Sequence, residues 1–223
     1  RLGVSRFAIL CEKYGADVVV SAGLELQDYA ERKMRAGIAT IPDGTYTASD
    51  LFESIDHPEP IRISCVITIT GDEMTLAFES PKQVRANFNM TRSALLATVY
   101  YAIKAIVDPT IPPNSGLARP LHVEAESGTI LCCALPAAVM GRISTCQRVV
   151  DVITAALAPV CPKTITAASN GSVVSATFSG TRHGSNKFWI YLETIGGGNG
   201  ARYNKDGLDG VQVHLTNTSN LPI

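Results

Sequence analysis

The residues of this chain best suited to chemistry gather near its C-terminal end. Tyr191-Leu192-Glu193-Thr194-Ile195-Gly196-Gly197-Gly198-Asn199-Gly200-Ala201-Arg202 runs from a strand pattern into a stretch almost free of side chains. Period-two alternation puts Trp189, Tyr191 and Glu193 on one strand face and Phe188, Ile190 and Leu192 on the other. A carboxylate at the end of an aromatic face, followed by glycine backbone, suits close approach of a ligand or of another chain. Three consecutive glycines also permit positive φ. A Glu193–Arg202 pair there could hold a phosphorylated or tetrahedral anion by charge-assisted, bidentate hydrogen bonds. Asp206, Asp209 and His214 follow closely. His214 falls on the polar face of the next expected strand with Gln212 and Thr216, a place from which it could transfer a proton. The expectation is that Glu193, Arg202, Asp206, Asp209 and His214 converge near the glycines, at a cleft or at a boundary between subunits. The plainer alternative is a glycine hairpin at a sheet edge with a surface Glu193–Arg202 pair. Arg148 and Asp151, at i,i+3 on a helix pattern, read as a surface pair.

Other chemistries are excluded. The sequence has no Gly-x-x-x-x-Gly-Lys, no Gly-x-Gly-x-x-Gly and no Gly-x-Ser-x-Gly, so this chain alone is expected to bind no ATP. Histidines 57, 122, 183 and 214 show no ligand spacing, and the acidic run Asn204 to Gly210 has Leu208 at a calcium-ligand position. No metal site is therefore expected within these residues. Nineteen basic and twenty acidic side chains give a net charge of −1, which leaves nothing for nucleic-acid binding by counterion release. The apolar stretch from Leu131 to Met140 is broken by Pro136 and is far short of the ~20 residues of a membrane span. The six cysteines (11, 65, 132, 133, 146 and 161) make no Cys-x-x-Cys pair and read as buried thiols of a reducing, cytoplasmic compartment. Three Asn-x-Ser/Thr matches, at Asn89, Asn170 and Asn217, are read as chance.

The elements that must position these residues follow from period and turn chemistry. The first forty residues read as helices separated at Gly15, with Leu2, Phe7, Leu10 and Cys11 on one stripe, ending at Pro42-Asp43-Gly44. From Arg62 the period becomes two. Ile63, Cys65, Ile67 and Ile69 lead through Gly71-Asp72 to Met74, Leu76 and Phe78, a hairpin with a two-residue turn. Thr91 is the expected N-cap of a helix bearing Leu95, Leu96, Val99, Ile103, Ile106 and Val107, stopped by Asp108-Pro109. A strand is expected at Leu121 to Ala125. Ser144 or Thr145 should cap a further helix with Val149, Ile153, Ala156 and Leu157 inward, ending at Pro159. Strands with long loops are expected beyond Thr164. Helices and strands in separate runs argue for α+β, with antiparallel or mixed sheets against packed helices and no internal domain boundary. Apolar residues are 46% and charged ones only 17%, against about 25% for a typical domain, so burial against partners is expected. A chain that starts with Arg reads as an interior piece of something larger.

Taken in order, these stretches resemble the hydantoinase B/oxoprolinase family. The matching segments include Ile41-Pro42-Asp43-Gly44-Thr45-Tyr46, Thr91-Arg92-Ser93-Ala94 and Asp108-Pro109-Thr110-Ile111-Pro112-Pro113-Asn114-Ser115-Gly116. Arg119-Pro120, Pro136-Ala137-Ala138-Val139, Gln147-Arg148-Val149-Val150-Asp151 and Ala168-Ser169-Asn170-Gly171 follow in order. The strongest is Glu193 to Arg202, then Asp206 to Val211 and His214 to Thr218.

The resemblance implies the middle of a B-type subunit of an ATP-dependent cyclic-amide hydrolase. In such enzymes ATP is held by an A-type subunit, which phosphorylates the carbonyl oxygen of a hydantoin, 5-oxoproline or similar ring. The B-type subunit completes hydrolysis, often with a divalent metal held by His/Asp motifs upstream of this region. It further implies catalytic positions at Glu193, Arg202, Asp206, Asp209 and His214. Substrate or interface positions fall at Asn114, Arg119, Arg148, Gly196, Gly197, Gly198 and Gly200. The implied partners are the A-type subunit and the rest of the B-type subunit, in a hetero-oligomer, with this segment inactive alone. A ketone carboxylase of acetone or acetophenone type, or a diverged assembly subunit, remains open. Departures from the family pattern lie at Ala77, at Cys132-Cys133 and at Gly141-Arg142.

Overall fold

The computed structural model describes residues 1–54 and 57–211. Along the chain these form α1 (Leu2–Tyr14), α2 (Ala16–Ile38), β1 (Gly44–Ser54), β2 (His57–Thr70), β3 (Glu73–Glu79), α3 (Arg92–Val107) and a 3-10 turn (Ser115–Ala118). They continue with β4 (Leu121–Ala125), α4 (Arg142–Leu157), β5 (Ser175–Thr181), β6 (Phe188–Thr194), β7 (Gly198–Asn199) and β8 (Leu208–Asp209). The architecture is α+β, as the separated runs of helix and strand imply. A four-stranded sheet of order β1-β2-β3-β4 is antiparallel except for the parallel β3–β4 pair, and β5–β6 and β7–β8 are two-stranded.

The central strand β2 shows how sequence becomes core. Ile61, Ile63, Cys65, Ile67 and Ile69 are buried while Arg62, Val66, Thr68 and Thr70 face water. That is the signature of a sheet covered on one face. Thr70 pairs with Glu73, so Gly71-Asp72 is the expected two-residue turn, with Gly71 at φ 61. Strand β1 has no such contrast: its half-buried positions include Tyr46, Ala48, Asp50 and Phe52 beside exposed Thr45, Thr47 and Leu51. It pairs with β2 over nearly its whole length.

Helices α3 and α4 pack on each other, and α4 lies on β1 and β2. Thr91 Oγ1 accepts from Ala94 N at 3.3 Å, capping α3 as expected. Leu95, Val99, Ile103 and Ile106 face the core, each large side chain contributing about 2 kcal/mol on full burial. The start of α4 differs from expectation. Its N-cap is Gly141, whose N–H donates to Asn87 O at 2.8 Å. Thr145 is instead a buried tie, donating from Oγ1 to Phe88 O at 2.6 Å, and so is committed to tertiary structure rather than to capping. The stripe of α1 also differs: none of its residues is buried, and Leu2, Phe7 and Leu10 face outward.

Helix α2 is held by charge as well as by Ala30, Met34 and Ile38. Lys33 meets Asp108 at 2.6 Å, and Arg35 meets Glu31 at 2.8 Å. Arg119 meets both Asp28 and Glu31 at 2.7 Å. Asn114 caps the 3-10 turn by accepting from Gly116 N and donates to Leu26 O at 3.1 Å. Gly116 is required there, because a Cβ would run into the Gln27 carbonyl.

Candidate functional site

The Gly-rich run forms a paired ribbon. Gly198 lies opposite Asp209 and Asn199 opposite Leu208, while on the other side Asn170 N donates to Gly198 O and Ala167 N to Ala201 O. None of Gly196, Gly197, Gly198 and Gly200 lies at positive φ. Their small size serves close approach within the chain instead: a Cβ on Gly197 would collide with the Asn170 side chain, and one on Gly200 with the Ala167 carbonyl. Of the two reasons offered by the sequence, backbone proximity holds and positive φ does not.

Around this ribbon the structure gathers some of the expected residues. Arg202 turns back on Lys205 through a backbone bridge, and Asp206 and Asp209 follow on the same ribbon, all exposed. Glu193, at the end of β6, is exposed and accepts a short hydrogen bond from the Tyr191 hydroxyl rather than pairing with Arg202. That bond raises the Tyr191 pKa. The Arg202 guanidinium makes no ion pair among the described residues. His214 lies outside the described residues. Asn114 and Arg119 stand apart from the ribbon, in the α2 clasp described above.

Arg148 is not at the surface. Its side chain is 20% exposed and ion-pairs with Asp50 of β1 and, at 3.5 Å, with Asp151, whose side chain is 8% exposed. Its Nη2 reaches to 3.3 Å from the position a Cβ would take on Gly171, which sits at φ 72 beside Asn170. Arg148 thus links β1 and α4 to the segment that cradles Gly197. The i,i+3 spacing identified the pair but not Asp50, which arrives from a strand 98 residues away. Its neighbour Gln147 is fully buried with both amide atoms unpartnered among the described residues.

Two hollows flank the ribbon. A cleft of about 890 Å³ lies between the starts of α3 and α4 and the end of β6, with Thr91, Ser93, Arg142, Cys146 and Thr194 on its walls. Burial, tempered by a hydrogen bond with Thr98, pushes the Cys146 thiol up. A smaller cavity of about 220 Å³ lies against Asn199. Among the described residues no three His, Cys, Asp or Glu side chains are grouped to hold a metal ion. The residues present therefore do not fit the divalent metal implied above.

The Hydantoinase B/oxoprolinase family matches residues 1–223, the whole chain. The chain is 35% identical to the B-type subunit of a putative D-/L-hydantoinase from Pseudomonas sp. (strain NS671), covering 100% of this chain and 39% of that one. It is 30% identical to 5-oxoprolinase 1 of Arabidopsis thaliana, over 97% of this chain and 17% of the plant protein. The crystal structure of the ATP-dependent caprolactamase from Pseudomonas jessenii superposes with a TM-score of 0.81 at 28% identity, covering 93% of this chain and 37% of that chain. The chain thus spans about two fifths of the bacterial relatives and a smaller share of the plant one. With the whole length matched and the fold shared, this chain belongs to the hydantoinase B/oxoprolinase family.

Proposed function

We propose that this chain is the central part of a B-type subunit in an ATP-dependent hydrolase of cyclic amides, with ATP bound by a separate A-type subunit. The observation that carries the reading is the match of the entire chain to relatives named as ring-opening enzymes, a hydantoinase subunit, an oxoprolinase and a caprolactamase. Those names favour hydrolysis over ketone carboxylation. In the reaction the γ-phosphoryl group passes to the ring carbonyl oxygen, water adds at the same carbon, the ring C–N bond breaks and phosphate leaves. This chain's part is a charged rim. The unpaired fork of Arg202 meets the anionic intermediate, with Glu193, Asp206 and Asp209 as its acidic neighbours. Arg142 and Thr194 offer the adjoining cleft a cation and a hydroxyl. No step runs through a metal held by this chain, because the described residues do not fit one. The segment alone is proposed to be inactive, and the assembly to be a cytoplasmic hetero-oligomer, a setting supported by six cysteines that all stay free thiols.

The test is turnover of the assembled enzyme carrying Arg202→Lys, which keeps the charge and loses the planar fork. Ring opening should fall about tenfold or more, while stability changes by about 1 kcal/mol or less, as for an exposed position. Unchanged turnover would remove Arg202 from the site.

A further inference from the structure

The smaller hollow has a chemistry of its own. It lies between α3, α4, the segment 164–166 and the Gly-rich ribbon, with a volume of about 220 Å³. Ala105, Ile106 and Val150 give it an apolar side. Tyr101, Thr154, Thr164, Thr166 and Asn199 give it a polar side, and no charged residue lines it among the described residues. The polar side is rich in acceptors. Oδ1 of Asn199 is buried and has no hydrogen-bond partner among the described residues. The hydroxyl protons of Thr154 and Thr164 are committed to Val150 O at 2.7 Å and to Cys161 O at 3.4 Å, which leaves their lone pairs open.

Buried acceptors without donors are rare in native proteins, so this one calls for a donor from outside the chain. Size limits what that donor belongs to. A cavity of roughly 150 Å³ takes one benzene molecule, so this one takes one small ring and not a nucleotide. Charge limits it further. A phosphate or carboxylate here would lose its hydration with no cation to replace it.

We propose that this cavity binds the uncharged ring of a cyclic amide, whose ring N–H donates to Oδ1 of Asn199. The inference rests on the ring-opening function proposed above and narrows it. Hydantoins and simple lactams fit, carrying a ring N–H and no charge, whereas 5-oxoproline brings a carboxylate for which the cavity has no partner. The ring then sits against the same ribbon that carries Arg202, so neutral recognition and anion stabilisation come from two ends of one short segment.

The experiment uses the full-length subunit assembled with its ATP-binding partner. Ala105→Trp fills the cavity from an exposed helix position, and Asn199→Ala removes the acceptor. Both should raise the KM for hydantoin about tenfold or more, leave the KM for ATP unchanged, and leave the thermal unfolding midpoint in place. If Asn199→Ala fails to fold, Ala105→Trp decides alone. Calorimetric titration of hydantoin into the assembly without ATP should show the same loss of binding. Ring opening with wild-type KM in the variants, as when the cavity holds water only, would overturn the inference while the proposed function stands. A preference of the wild type for 5-oxoproline would overturn it too. If the wild type opens no ring with ATP but binds hydantoin, and the variants do not, the function falls and the cavity assignment stands.

Discussion

At the scale of single residues, Arg148 ties the site to the body of the molecule. Its partner Asp151 is nearly buried, and Asp50 comes from another element. Arg148→Met would leave that inner carboxylate short of its cation, and breaking an interior pair by removing one partner is costly. The expected loss is about 3 kcal/mol in chemical denaturation, with a smaller loss for Arg148→Lys, which keeps the charge. A loss within about 0.5 kcal/mol, typical of surface positions, would return Arg148 to the surface role its spacing suggested. Cysteine chemistry is set by the same burial. Desolvation pushes the Cys65 thiol up to about 12, so it should resist alkylation until the protein unfolds; rapid labelling of Cys65 in the native state would contradict its place in the core.

At the scale of elements, local pattern was informative wherever one face met the core and the other met water. The β2–β3 hairpin and α3 were legible for that reason, down to the turn and the Thr91 cap. Strand β1 was not, because its inward positions mix Tyr46, Ala48, Asp50 and Phe52, and its burial depends on β2 and α4 rather than on its own alternation. The Thr145 cap failed because Phe88 O, remote in sequence, takes its hydroxyl. The candidate site was legible as a segment but not as a set of contacts: nothing local says that Glu193 meets Tyr191, or that Arg119 meets α2. That α2 clasp predicts acid sensitivity. Asp108 is held down to about 2 by Lys33 and Thr110. Glu31 is lowered by Arg119 and Arg35, and Glu73 by Arg35 and His122. Groups with depressed folded-state pKa values stabilise above their unfolded values and lose that stabilisation as pH falls through the folded ones. The urea midpoint should therefore drop between about pH 4.5 and pH 2, and Asp108→Asn should flatten the lower part of that drop. A midpoint flat across this range would show that the clasp contributes nothing.

At the scale of the whole molecule, the exposed apolar surface is as informative as the core. Phe188 and Ile190 on β6 are 69% and 67% exposed, Leu192 continues their row, and α1 bares Leu2, Val4, Phe7 and Ile9. Contiguous apolar faces of this kind mark association surfaces. Under the proposed function they are covered by the rest of the subunit and by the A-type partner. The chain alone should associate in light scattering, and replacing Phe188, Ile190 and Leu192 with Ser should raise the monomer fraction without changing the thermal midpoint of the core. A wild-type chain that stays monomeric at high concentration would show that these faces need no cover. The central claim is that ring opening needs this chain's subunit and ATP together. Its most direct test is product analysis with hydantoin, supplying the full-length subunit, its A-type partner, or both, with and without ATP and bicarbonate. The account predicts ring-opened product matched by ADP only when both subunits and ATP are present, and indifference to bicarbonate. Ring opening by either subunit alone or without ATP, or a carboxylated product that requires bicarbonate, would contradict it.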